Sequence, residues 1–164
     1  MEILSLTSFA FKNDEMIPAK YTCDGDHPIS PPLSIRGVPE EAKSLVLIME
    51  DPDIPNVFKK SNGIEAFDHW MLFNIPPETQ EIPEGATVGT SGLNSAGKVG
   101  YTSPCPPPQY EPSEHRYVFS LYALGEMLHF ANPPTARELR DAISLPPVDG
   151  PLAEAKLVGR YSRK

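Results

Sequence analysis

The chain has no long apolar run. Its longest, Leu45 to Met49, is five residues, against the roughly 18–20 that a membrane helix needs. It opens Met1-Glu2-Ile3, without the basic and long apolar regions of a secretory signal, and has no Asn-x-Ser/Thr sequon. Basic residues are scarce: 14 Lys and Arg against 22 Asp and Glu give a formal charge of −8 and a pI near 4.9. That is the opposite of the basic footprint of a nucleic-acid binder. Cysteine is scarce as well. Cys23 and Cys105 could be free thiols, a disulfide or half a metal site. These absences predict a soluble, cytoplasmic, acidic protein with no nucleic-acid partner and no membrane insertion. A cytoplasmic setting favours free thiols. With 164 residues, 40% of them hydrophobic, residues 1–164 suit a single domain.

Proline is abundant instead. Twenty of 164 residues are proline, about 12% against a usual ~5%. They are spread between apolar segments, eleven of them in four pairs and one triplet, so they mark loops and strand ends and nearly exclude long helices. About one cis X-Pro bond is expected at the rate of ~5–6%. Between the prolines, residues 44–50 and 69–75 are apolar runs of strand length, as expected for strands buried on both faces. Residues 116–124 are rich in aromatic and β-branched side chains. Weaker strands are predicted at 2–5, 33–36 and 156–161. One helix is predicted from Ala136 to about Ile143, opened by Thr135 and Glu138 at capping-box spacing. The stretches Pro55–Ala66 and Thr87–Tyr101 read as long loops, the latter with four glycines. The sum is a mostly-β sandwich with one or two short helices.

Chemistry-bearing residues gather at strand ends. Asp51-Pro52-Asp53 follows the 44–50 run, and residues two apart in extended chain share a face, which would aim both carboxylates one way. Such pairs raise one another's pKa. His115 and Tyr117 share a face in the same manner at the start of a strand, and His69 opens another. His27 and His129 have no comparable neighbours and read as surface residues. Asp51, Asp53, His69 and His115 are metal-ligand types, but no H-E-x-x-H, C-x-x-C or EF-hand pattern occurs. Neither a metal nor a cofactor is expected. Gly92 to Lys98 fits the first seven positions of a phosphate-binding loop, yet Val99 stands where Ser or Thr is needed and no helix follows. Gly89-Thr-Ser-Gly-Leu93 fails as a nucleophile elbow. Arg160, Arg163 and Lys164 read as a solvated basic end.

In order along the chain, Tyr21-Thr-Cys-Asp-Gly25, Ser30-Pro-Pro-Leu33, Asp51-Pro-Asp-Ile-Pro55, His69-Trp-Met-Leu-Phe-Asn-Ile-Pro76, Gly100-Tyr-Thr-Ser-Pro-Cys-Pro-Pro107, His115-Arg-Tyr-Val-Phe119 and Ala153–Tyr161 resemble the phosphatidylethanolamine-binding protein family. The likeness is strongest to its bacterial and archaeal Raf-kinase-inhibitor-like branch. It implies a large antiparallel sheet packed on a smaller one, and a shallow pocket for a small, phosphate-like anion. Carried over, Asp51 and Asp53 form one wall, His69 faces them, and His115 and Tyr117 form another. Cys105, flanked by Pro104 and Pro106, offers the backbone N–H. The loop 54–68, and Pro151 where many relatives carry His, depart from the family pattern, and the long C-terminal helix of eukaryotic members is absent. Lipid binding and Raf-kinase inhibition are therefore not carried over. The resemblance implies a ligand-binding protein that regulates a protein partner such as a protease or kinase, and a homodimer. The alternative is a phosphoester hydrolase using the Asp/His cluster for acid–base catalysis. Ser103 and Thr102 lie near the pocket loop without an assigned base, so no catalytic residue is named.

Overall fold

The computed structural model describes residues 2–163. Among the described residues nine strands form two sheets. The chain order is β1 (Ser5–Thr7), β2 (Glu15–Met16), β3 (Leu33–Arg36), β4 (Ser44–Asp51), α1 (Asn56–Asn62), β5 (Phe67–Ile75), β6 (Glu81–Ile82), β7 (Thr90–Ser91), β8 (Glu114–Leu124), α2 (Ala136–Ser144) and β9 (Ala153–Ser162). The smaller sheet has the order β1-β3-β6, the larger β2-β9-β8-β4-β5-β7. The three long apolar segments thus lie inside the larger sheet, as their composition predicts. Its pairing is antiparallel except at one edge, where β2 runs parallel to β9.

Alternation along β4 explains why its sequence is continuously apolar. Leu45, Leu47 and Met49 pack with Leu33, Ile35 and Ile82 of the smaller sheet. Val46 and Ile48 face the other way, into a second cluster with Leu139 and Ile143 of α2. Both faces are covered, so every position must be apolar. Along β9, by contrast, the inward positions Leu157, Gly159 and Tyr161 are buried and their neighbours are not. Gly159 is required by a close approach: a Cβ there would lie 2.5 Å from Ile17 Cγ1 and 2.8 Å from Phe11 Cε2.

Helix α2 begins where the capping box places it. Thr135 Oγ1 accepts from Glu138 N–H at 3.2 Å, and Glu138 Oε1 accepts from Thr135 N–H at 3.3 Å. Other expectations need correction. Residues 55–66 are not all loop, because α1 starts after Pro55 and ends at Gly63 in the left-handed conformation, φ 63°. The first strand lies at 5–7 rather than 2–5. Two X-Pro bonds are cis, Glu111-Pro112 and Pro146-Pro147. The basic end is tied down, Arg163 to Asp24 at 3.0 Å and Arg160 to Asp14 at 3.2 Å; Lys164 lies outside the described residues. The cysteines are not free: Cys23 and Cys105 form a disulfide. Among the described residues no helix is long and apolar enough to cross a membrane.

Candidate functional site

A cavity of about 170 Å3 opens at the end of β4, β5 and β8. Asp51, His69, Cys105, His115 and Tyr117 all line it, together with Thr102 and Ser103. Five of the six residues singled out in the sequence therefore meet, from segments 66 positions apart or fewer (117 minus 51).

Asp53 does not line it. Asp51 Oδ1 accepts from Asp53 N–H at 2.8 Å, a local turn that bends the chain out of the strand. The Asp53 carboxylate instead accepts from Arg116 N–H, Nε and Nη2 at 2.8, 2.9 and 2.8 Å. The two carboxylates point apart, not together. The Arg116 side-chain hydrogen bonds hold the Asp53 pKa below the ordinary carboxylate value against the effect of its partial burial. Arg116 was invisible as a site neighbour in the sequence, although it alternates with His115 and Tyr117 and so had to face away from them.

His69 reaches the cavity through a β-bulge. Met49 pairs with Trp70 and Glu50 with Asp68, so His69 has no partner on β4. Strict alternation would put His69 and Trp70 on opposite faces. The extra residue lets both face the same side, with His69 5.3 Å from the Tyr117 ring, edge to face. Its backbone turns to the loop before Cys105 instead: His69 C=O accepts from Thr102 N–H at 2.9 Å. The ring donates from Nδ1 to Thr102 C=O at 2.7 Å, which leaves Nε2 with its lone pair. A carbonyl, rather than a carboxylate, fixes this tautomer. Burial pushes the His69 pKa down, against the pull of that hydrogen bond and of Asp51.

His115 is set differently. Its Nδ1 lies 2.6 Å from Asp51 Oδ2, and both side chains are almost inaccessible, 1% and 4% exposed. An ionised carboxylate only accepts, so His115 Nδ1 carries the proton. Its Nε2 is buried with no hydrogen-bond partner among the described residues. Tyr117 stacks on this ring at 6.4 Å, and burial, then the Asp51 carboxylate, pushes its phenol well above the usual range. Neither oxygen of Asp51 is a bare charge, since one has the His115 donor and the other the Asp53 N–H.

The Cys105 wall is braced from outside. Cys23 N–H donates to Pro104 C=O at 3.0 Å, the disulfide joins Cys23 to Cys105, and Tyr101 OH donates to Tyr21 C=O at 2.7 Å. The pairing was not readable from two cysteines 82 positions apart. The available signal was only that both stand in stretches that resemble the family. Residues 92–98 are no phosphate loop: Asn94 Oδ1 accepts from Ala96 and Lys98 N–H at 2.9 and 3.2 Å, and Leu93 bridges to Val99. Among the described residues no cluster of three His, Cys, Asp or Glu side chains could hold a metal ion.

Residues 7–162 match the family described as phosphatidylethanolamine-binding protein. The chain belongs to that family. Among its relatives is a UPF0098 protein of Chlamydia trachomatis, 43% identical over 162 residues, covering 98% of this chain and 99% of that one. A UPF0098 protein of the archaeon Methanothermobacter thermautotrophicus is 39% identical, again over 98% and 99%. A crystal structure of a putative phosphatidylethanolamine-binding protein homologue from C. trachomatis superposes with a TM-score of 0.87 at 41% identity, covering both chains completely. YbcL of Escherichia coli, described as a new member of the mammalian family, shares the fold, with a TM-score of 0.82 at 24% identity over 99% and 100% of the two chains. The bacterial and archaeal branch of the phosphatidylethanolamine-binding protein family is thus where this two-sheet sandwich sits.

Proposed function

We propose that the protein binds a small, singly charged, phosphate-like anion in the cavity between His69, His115, Tyr117 and Cys105. The observation that carries this reading is His115 Nε2, buried and unpartnered on a ring braced by Asp51. A buried polar atom without a partner costs about 1–3 kcal/mol, and a ligand at this position removes that cost. The other groups suit the same ligand. The Cys105 N–H and Tyr117 hydroxyl are donors for anionic oxygens, and His69 Nε2 is an acceptor for an acidic P–OH. That combination favours a monoanion over a dianion. The paired Asp51 charge next to the site works in the same direction, because it repels a second negative charge.

Among the described residues neither the Thr102 nor the Ser103 hydroxyl is hydrogen-bonded to His69 or His115, so the structure offers no activated side-chain nucleophile in support of the hydrolase alternative. Titrating inorganic phosphate into labelled protein tests the reading by NMR. The expected result is saturable shifts at the His69 and His115 ring signals and at the Cys105 amide, abolished in His115→Phe. Saturable shifts confined to other residues, or none up to high millimolar phosphate, would overturn it.

A further inference from the structure

Residues 103–113 carry the Cys105 wall of the cavity and run on to β8. Five of them are proline, Pro104, Pro106, Pro107, Pro108 and Pro112, so nearly half of the stretch has no backbone N–H to donate. Among the described residues a single backbone hydrogen bond ties it to another segment, Cys23 N–H to Pro104 C=O at 3.0 Å. Its other backbone bond, Tyr110 N–H to Pro107 C=O at 3.4 Å, is local. The disulfide from Cys105 to Cys23 is the covalent tie that remains. The stretch around Cys23 is fixed by comparison. Thr22 is fully buried and its hydroxyl donates to Ala19 C=O at 2.9 Å. Gly25 N–H donates to Thr22 C=O at 3.0 Å, and the Asp24 carboxylate accepts from Tyr161 OH and from Arg163. Cys23 is therefore an anchor, and its bond to Cys105 holds a sparsely bonded wall against it. Cys105 is exposed and Cys23 half-buried, so a thiolate from solution reaches the Cys105 end. Exposed disulfides are the labile ones.

We infer that the Cys23–Cys105 disulfide is an exchange site for a dithiol, and that its state sets the anion affinity of the neighbouring cavity. This rests on the anion site proposed above and adds how that site is regulated. A thiolate of the dithiol attacks Cys105 Sγ, the Sγ–Sγ bond breaks, and Cys23 leaves as a thiolate that takes up a proton. The second thiolate of the dithiol attacks the sulfur of its own mixed disulfide, and Cys105 leaves and is protonated in turn. The dithiol ends as a disulfide and the protein as two thiols, two electrons and two protons having passed to it. The oxidised protein holds the Cys105 N–H in place, where Pro104 and Pro106 offer no substitute donor. The reduced protein leaves that wall on one backbone hydrogen bond to Cys23, and the anion loses a positioned donor.

Calorimetric titration of inorganic phosphate into the oxidised and the dithiothreitol-reduced protein at one pH tests it, with near-UV circular dichroism to report folding. Reduction is expected to leave the fold intact and to weaken phosphate binding about tenfold, which is about 1.4 kcal/mol. Cys23→Ser keeps the Cys105 N–H but cannot form the disulfide, so it should bind as weakly as reduced wild type, with or without dithiothreitol. Binding and redox equilibria are linked. Phosphate that saturates both forms should therefore raise about tenfold the ratio of reduced to oxidised dithiothreitol at which half the protein is reduced. Phosphate affinity that is equal or higher after reduction, or binding by Cys23→Ser as tight as that of the oxidised protein, would overturn the inference and leave the anion site standing. So would a disulfide that resists dithiothreitol in the folded protein, or a reduced protein that unfolds. No phosphate binding in either state would overturn both.

Discussion

Asp51→Asn probes the brace behind His115. Asp51 Oδ2 takes the His115 Nδ1 proton at 2.6 Å and Oδ1 takes the Asp53 N–H at 2.8 Å. Asparagine keeps the size but has one acceptor oxygen, and its amide nitrogen sets a donor against a donor. One of the two N–H groups must then lose its acceptor in a place sealed from water. An orphaned buried donor costs about 1–3 kcal/mol, and a hydrogen bond to a charged group is worth about 1.5–3 kcal/mol. The expected loss is therefore about 3 kcal/mol, and at about 2–4 °C per kcal/mol for a chain of this size the Tm falls by about 9 °C. Urea unfolding without reductant, with a thermal scan alongside, reads both quantities. His115→Phe strands the other partner, so the double variant should recover about 2 kcal/mol relative to the sum of the singles, well outside the ~0.3–0.5 kcal/mol of additive sites. A loss below about 1 kcal/mol in Asp51→Asn, or additive singles, would refute the brace.

Three further outcomes are expected. Reducing the Cys23–Cys105 disulfide, which closes a separation of 82 residues, should cost about 4 kcal/mol by the loop-entropy relation; an unchanged urea midpoint in reductant would contradict that constraint. Asp53 has a lowered pKa, with Arg116 as the main cause, so its contribution is present above its unfolded value near ~3.9 and is lost as pH falls through the folded one. The stability gap between wild type and Asp53→Asn should accordingly narrow as pH falls below the unfolded value of about 3.9, and a gap that stays constant through acid unfolding would contradict the pairing. Gly159→Ala drives a Cβ to 2.5 Å from Ile17 Cγ1 and should cost about 1–3 kcal/mol in the same assay, while a neutral result would mean that β2 and the preceding loop yield freely.

The long central strands and α2 were legible because each carries its own signal, continuous apolar length or a capping box. Strands β2, β6 and β7 have two residues each, too few for any period. Helix α1 hides for a related reason: it buries nothing, so no apolar periodicity marks it, and only Pro55 and Gly63 at its ends betray it. At the site, residue types at strand ends were enough to gather Asp51, His69, His115 and Tyr117, while Cys105 came only from the family resemblance. The direction of Asp53 was not readable, because it depends on a turn closed by the Asp51 side chain. Nor was the way His69 reaches the cavity, since a bulge belongs to the register between two strands rather than to either one. The disulfide was missed through the compartment assumed for the chain, a property that the residues near Cys23 and Cys105 do not encode.

The central claim, a site for a monoanion, is tested most directly by calorimetric titration of inorganic phosphate into wild type and His69→Phe between about pH 5.5 and 8. Burial lowers the His69 pKa and so favours the neutral ring, whose Nε2 takes a P–OH donor, and phosphate loses that proton within this range. The account predicts that wild-type affinity weakens about tenfold as pH rises, the loss of one charge-assisted hydrogen bond, and that His69→Phe binds more weakly with a much flatter profile. Affinity that strengthens with pH, or a profile identical in the two proteins, would contradict it.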